Sequence, residues 1–184
     1  MRMSFVLPVL LSLVVPALAA APPAKTTPLD KLFTDLAKTT SSDQAKPIED
    51  RIVQMFNQSG SATVDILMER SAITLKIGDK DTTKKLVYAI TTVAPDYAEG
   101  WHRRAMLEAA ANDDADAIVS LQKTVTLNPR EFEAQSELGK LLEDYGDKKA
   151  ALAAYRKALA LDPHMAGVDK HTQELARQIE GEKI

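Results

Sequence analysis

The sequence predicts an all-α solenoid of antiparallel helix pairs that ends in a capping helix. Three observations carry this. Pro95, Pro129 and Pro163 stand thirty-four residues apart. Gly78-Asp79, Asn112-Asp113 and Gly146-Asp147 keep the same interval. Aromatic residues are scarce, at 5%, and alanine is abundant, which suits helices that approach closely. A fixed period of this length marks a repeat array, in which one unit cannot bury its apolar face alone.

Residues 1–19 read as a signal peptide. Arg2 and the terminal amine give a positive start, an apolar run follows from Phe5 to Ala21, and Ala17-Leu18-Ala19 is a small-x-small cleavage pattern. Cleavage is expected after Ala19; a cut after Ala21 would leave Pro22 next to it. The other reading is an uncleaved membrane anchor, since the run is near the minimum span of a bilayer, though Pro8 and Pro16 weaken a helix there. The chain has no cysteine, which excludes a lipid anchor, disulfides and thiolate chemistry. The expected location is periplasmic or secreted, with no membrane span after signal cleavage.

Residues 20–28 are rich in Ala, Pro, Lys and Thr and read as a flexible linker. Residues 29–61 hold two amphipathic stretches, 29–38 and 47–57. Leu29, Leu32, Phe33 and Leu36 share one face; Ile48, Ile52, Val53, Met55 and Phe56 are apolar in the second. Pro47 is placed in the first turn of that second helix, where its missing N–H costs nothing. This pair is expected to close the N-terminal end of the array, as a possible diverged repeat.

Three units follow, at 62–95, 96–129 and 130–163. Each has a helix of about fourteen residues, a Gly/Asn-Asp step, a second helix and a Pro-marked turn. Gly or Asn can take the left-handed conformation that closes a helix. The adjoining Asp, or Asp114 in the middle unit, can cap the next one. In Asn128-Pro129 and Asp162-Pro163 the Asn or Asp is expected to cap a helix with Pro at its first position. Glu131 then falls in the first turn, where its charge suits the helix N-terminus. Residues 164–184 form a capping helix and tail, with Leu175 and Ile179 covering the last unit and Lys170, His171, Glu174 and Arg177 facing water.

Residues 132–163 resemble a tetratricopeptide repeat (TPR), through Leu138-Gly139, Leu142, Ala151, Tyr155, Ala158 and Pro163. Residues 98–129 are similar, through Trp101, Ala105, Ala117, Leu121, Leu127 and Pro129, but Arg104 takes a leucine slot and Thr124 an alanine slot. Residues 64–95 are a weaker copy, with Ser71 and Thr83 in small-residue slots and Leu67, Val87 and Ile90 as filling. The chain looks similar to small exported bacterial TPR proteins. The resemblance implies a groove lined by the first helix of each unit: Asp65, Met68, Ala72 and Leu75; then Glu99, His102, Met106 and Ala109; then Glu133, Ser136, Lys140 and Glu143. It implies a protein or peptide partner. The carboxylate-clamp slots of some members hold Met68, Ala72 and Arg103, so that ligand is not expected.

Net charge is −3 and no basic block stands out, so nucleic acid is not an expected partner. No P-loop, Gly-x-Ser-x-Gly or dinucleotide fingerprint occurs. His171-Thr172-Gln173-Glu174 lacks the second histidine of a zinc-protease helix, and the histidines read as solvated surface groups. No cofactor, metal or catalytic residue is expected. Trp101-His102-Arg103-Arg104 is the sharpest cluster. Arg104 reads as snorkelling or paired with a nearby acid. An enzyme with its site at Trp101–Arg104 and Glu108 is a rival reading, and gains if His102 comes within hydrogen-bond reach of two acids. A self-associating structural module, dimerised through the N-terminal helices, is another.

Overall fold

The computed structural model describes residues 26–181. The expected signal peptide, its expected cleavage site and most of the expected linker lie outside them. Helices α1 (Pro28–Leu36), α2 (Ser42–Phe56), α3 (Ala62–Lys76), α4 (Lys80–Val93), α5 (Ala98–Ala110), α6 (Asp114–Leu127), α7 (Phe132–Asp144), α8 (Lys148–Leu161) and α9 (Val168–Glu180) follow in order, and no strand occurs among the described residues. The fold is an all-α helical repeat solenoid. Helix α3 pairs with α4, α5 with α6 and α7 with α8, and the pairs stack through α4–α5, α6–α7 and α8–α9.

The turn chemistry explains the regular spacing. Gly78, Asn112 and Gly146 take φ of 80°, 59° and 86°, the left-handed step that ends the first helix of each unit. Asp79 and Asp147 then accept hydrogen bonds from the N–H groups of Thr82 and Ala150, each at 3.0 Å. The middle unit departs from expectation: Asp113 sits at the cap of α6 without a side-chain bond, and Asp114 is already helical.

The proline turns also differ. Helix α7 starts at Phe132, so Pro129 leads a turn instead of occupying the first helical position. Pro forces the residue before it into extended backbone, and Asn128 and Asp162 comply with φ/ψ of −127°/90° and −133°/99°. Their carboxamide and carboxylate oxygens accept from the N–H groups of Arg130 (3.1 Å) and His164 (2.9 Å), bracing the turn. Pro47 is likewise inside α2, not in its first turn. The cap lies upstream, where Ser41 Oγ accepts from Gln44 N–H and Gln44 Oε1 accepts from Thr40 N–H.

Small side chains set the helix separation. Ala105, Ala117, Ala151 and Ala158 are buried, with Leu121, Leu138, Leu152 and Tyr155 as filling. The hydroxyls in small-residue slots are satisfied locally. Ser71 Oγ donates to Met68 O at 2.7 Å, Thr83 Oγ1 to Asp79 O at 2.7 Å, and Thr124 Oγ1 to Ser120 O at 2.9 Å. They can therefore be buried without orphaned donors. Helix α9 covers the last pair through Leu175, with Val168, Ala176 and Ile179 beside it.

Helices α1 and α2 do not stack on α3 and α4 as a further repeat. They fold back over the starts of later first helices. Phe33, Leu36, Ala45 and Ile52 form a core with Phe132, flanked by Leu161 and Met165. Phe33 meets Phe132 edge-on at 6.4 Å, and Arg130 stacks on Phe33 while pairing with Asp30 at 2.6 Å. His164 Nε2 bonds Thr39 O, and Tyr97 OH donates to Asn57 O. The apolar residues of 29–61 thus find cover at the proline turns, and among the described residues the N-terminal end of the array stays open.

Candidate functional site

Helices α3 and α5 stand side by side with α4 behind them. Between them is a cleft of about 220 Å³ lined by Ser71, Leu75, Thr83, Val87, Arg103 and Met106, with Leu107 and Ala110 at its end. Its apolar walls follow from the sequence: Ser71 and Thr83 are too short to fill the space between the helices. Leu75 and Met106 remain 52% and 51% exposed, so water-facing apolar surface persists at the cleft mouth. Arg103 gives it one cation. That guanidinium is partly engaged, with Nη2 donating to Asn57 Oδ1 at 2.9 Å and Nε lying 3.3 Å from Glu99 Oε1.

Beside the cleft lies a buried ionic group. His102 is 4% exposed, so it is not a solvated surface histidine. Its Nε2 lies 3.0 Å from Glu137 Oε2 and its Nδ1 3.5 Å from Glu99 Oε2. Burial alone would depress its pKa, but the bonds to Glu137 and Glu99 and their charges outweigh that and hold it at about 10. Glu131 is also buried and accepts a long bond from Asn128 Nδ2 at 3.5 Å; desolvation pushes it up to about 8, with nearby carboxylates adding to the rise. Glu131, expected as a first-turn charge that favours the helix N-terminus, is instead a buried residue at the cap of α7. Glu133 is raised for the same first reason.

Arg104 pairs with Glu108 at 2.7 Å and stacks on Tyr88 at 4.1 Å. The Glu108 carboxylate also accepts from Tyr88 OH at 2.8 Å and Ser120 Oγ at 2.6 Å. Every donor points at one buried carboxylate, so the cluster ties α4, α5 and α6 together. Among the described residues no group of three or more His, Asp or Glu is arranged to hold a metal.

The residues expected to line a groove are dispersed. Leu75 and Met106 are brought together at the cleft, and Ala72 is exposed nearby. Met68 departs from expectation: it is buried with Val64 and Ile90 inside the α3–α4 pair. Glu99 and His102 are buried in the ionic group. Asp65 is exposed and accepts from Ser59 Oγ at 2.5 Å. Glu133, Ser136 and Ala109 are half-buried and Lys140 is exposed. Glu143 accepts from Tyr155 OH at 3.2 Å and bonds His171 Nε2 at 2.6 Å. The cleft floor at Ser71, Thr83 and Val87 was legible only as small-residue slots and filling, not as lining.

The tetratricopeptide-repeat family profile matches residues 132–165. The chain therefore carries a tetratricopeptide repeat there. It is 26% identical over 155 residues to a TPR repeat-containing protein of Rhizobium etli, covering 84% of this chain and 76% of that one. A shorter stretch of 54 residues is 46% identical to cellulose synthase operon protein C of Escherichia coli K12, covering 29% of this chain and only 5% of that protein. Among solved structures, MamA superposes with TM-score 0.58 at 17% identity, over 84% of this chain and 86% of MamA. The first TPR of Spaghetti (RPAP3), bound to an HSP90 peptide, gives TM-score 0.58 at 18% identity, over 64% of this chain and 93% of that one. Those likenesses concern the fold. Among the described residues, no helix is long and apolar enough to cross a membrane.

Proposed function

We propose that this TPR protein is a non-catalytic scaffold that binds a protein or peptide in the cell envelope of a bacterium, after export through its N-terminal leader. The observation that carries the binding reading is the cleft between α3 and α5, with Leu75 and Met106 half exposed at its mouth and Arg103 as its cation. Such a site takes an apolar side chain of an extended or helical peptide, with an acidic neighbour favoured by the guanidinium. The fold likeness to a TPR domain that holds a peptide supports the same class of ligand.

His102 does come within reach of two acids, which is what the enzyme reading asked for, but the arrangement does not suit a general base. A general base needs a free lone pair near substrate. Here both ring nitrogens face carboxylates and the ring is held charged in a buried setting. The export reading rests on Arg2, the apolar run and Ala17-Leu18-Ala19. Fractionation with N-terminal sequencing tests it: a periplasmic or secreted chain starting at Ala20 supports it, a chain in the cytoplasm starting at Met1 refutes it, and a membrane-held chain starting at Met1 supports the anchored alternative.

Affinity capture from an envelope extract tests the binding reading. Wild type should retain one or a few proteins that Leu75→Glu and Met106→Glu both lose, while both variants keep wild-type melting. Retention of the same proteins by the variants refutes the cleft as the site.

A further inference from the structure

The solenoid has two ends, and they are finished differently. At the C-terminal end α9 lays Leu175 on the last pair and turns Asp169, Lys170, Glu174 and Arg177 to water. At the other end none of the described residues covers the outer face of α3, because α1 and α2 have folded over the proline turns instead. Ile66, Ile73 and Ile77 stay 55%, 53% and 72% exposed. They share one helical face, opposite the buried Val64, Met68 and Ser71. A shallow groove lined by Arg70, Ile73, Thr74, Thr82 and Leu86 runs beside them.

We propose that this open end docks a second copy of the chain, with the two α3 helices parallel about a two-fold axis. The charges bordering the stripe choose this occupant. Glu69 and Arg70 are exposed and lie about 100° apart on the helix, one on each side of the Ile66–Ile73 line. A two-fold axis running along the helices exchanges the two flanks. It sets isoleucine on isoleucine and brings Glu69 opposite Arg70 of the second copy, twice per dimer. An antiparallel pair would instead bring each acid beside its own copy and each base beside its own. Head-to-tail stacking is disfavoured, because the outer face of α9 is polar, whereas a two-fold contact uses the same patch on both subunits and closes. The cleft between α3 and α5 opens on the opposite side of α3 and stays free, so this inference stands apart from the ligand reading.

Sedimentation equilibrium of the full chain across the micromolar range tests it. Wild type should show a monomer–dimer equilibrium. Ile73→Glu should be monomeric throughout, since it puts two carboxylates into the apolar stripe. Glu69→Arg and Arg70→Glu should each weaken dimerisation about tenfold, and the double reversal E69R/R70E should restore it. Leu75→Glu, on the cleft side, should dimerise like wild type. A monomeric wild type overturns the proposal, as does a dimer indifferent to Ile73→Glu and to both reversals. A double reversal as weak as the singles overturns the parallel arrangement. All of these positions are exposed, so the variants should keep wild-type helicity, and circular dichroism checks that.

Discussion

Gly139 lies in α7 where Tyr155 of α8 crosses it, and a Cβ added there would sit 2.8 Å from two ring carbons and 3.1 Å from a third. Carbon atoms in good contact stand about 3.5–4.0 Å apart, so the ring or the helix must yield by roughly 0.7 Å or more. The ring has little freedom. It is 5% exposed, its hydroxyl bonds Glu143, and His171 packs edge-on against it at 5.3 Å. Overpacking of this kind costs about 1–3 kcal/mol. Replacing a mid-helix glycine by alanine returns about 0.8–1.0 kcal/mol of helix propensity. Gly139→Ala should therefore be destabilising by about 0–2 kcal/mol, and Gly139→Leu by more. Thermal melting followed by circular dichroism reads this as a drop of up to several degrees for the alanine variant. A double-mutant cycle with Tyr155→Leu isolates the clash: the pair should lose clearly less than the sum of the singles. A rise in melting temperature for Gly139→Ala, as at an open helical glycine, would refute the close approach.

The buried ionic group predicts falling stability as pH rises. Glu131 titrates near 8 when folded against 4.5 for the free group, so the folded state holds the extra proton and loses stability between those values. Glu131→Gln should remove that decline and stabilise the protein at pH 9 by at least about 1 kcal/mol, measured by urea unfolding. His102 is raised from 6.5 to about 10, so its contribution is complete below pH 6.5 and fades toward 10. His102→Gln should lower stability at pH 7 and flatten the slope over that interval in the same assay. Phe132→Ala should cost about 3–5 kcal/mol locally and loosen α1 and α2. Amide exchange should then rise across residues 28–56 more than in α5 and α6, and uniform protection would contradict the fold-back contact.

The repeat was legible because its signals are local. Gly78, Asn112 and Gly146 must turn left-handed, and alanines at fixed intervals permit close helices, so periodicity reported the pairs and their order. The turn details were less legible. Pro47 looked like a helix start, but Ser41 and Gln44, further upstream, supply better caps. Asn128 and Asp162 brace proline turns with the same side chains that would cap a helix. The cleft could be read only in part, since Leu75 and Met106 followed from the repeat register whereas its floor is the space that Ser71 and Thr83 fail to fill.

Sequence alone determined that paired helices recur every thirty-four residues and that the last is amphipathic enough to close the array. Only the tertiary structure decided where the N-terminal helices go. Their apolar faces are generic, and any greasy surface of matching shape would satisfy them. Phe132, Leu161 and Met165, more than seventy residues away, outcompete the end of α3 for that cover. The meeting of α5 with α7 likewise sets His102 between Glu99 and Glu137, and the isoleucines of α3 are left facing water, because burial and pairing depend on which surfaces meet and not on the order of residues along the chain.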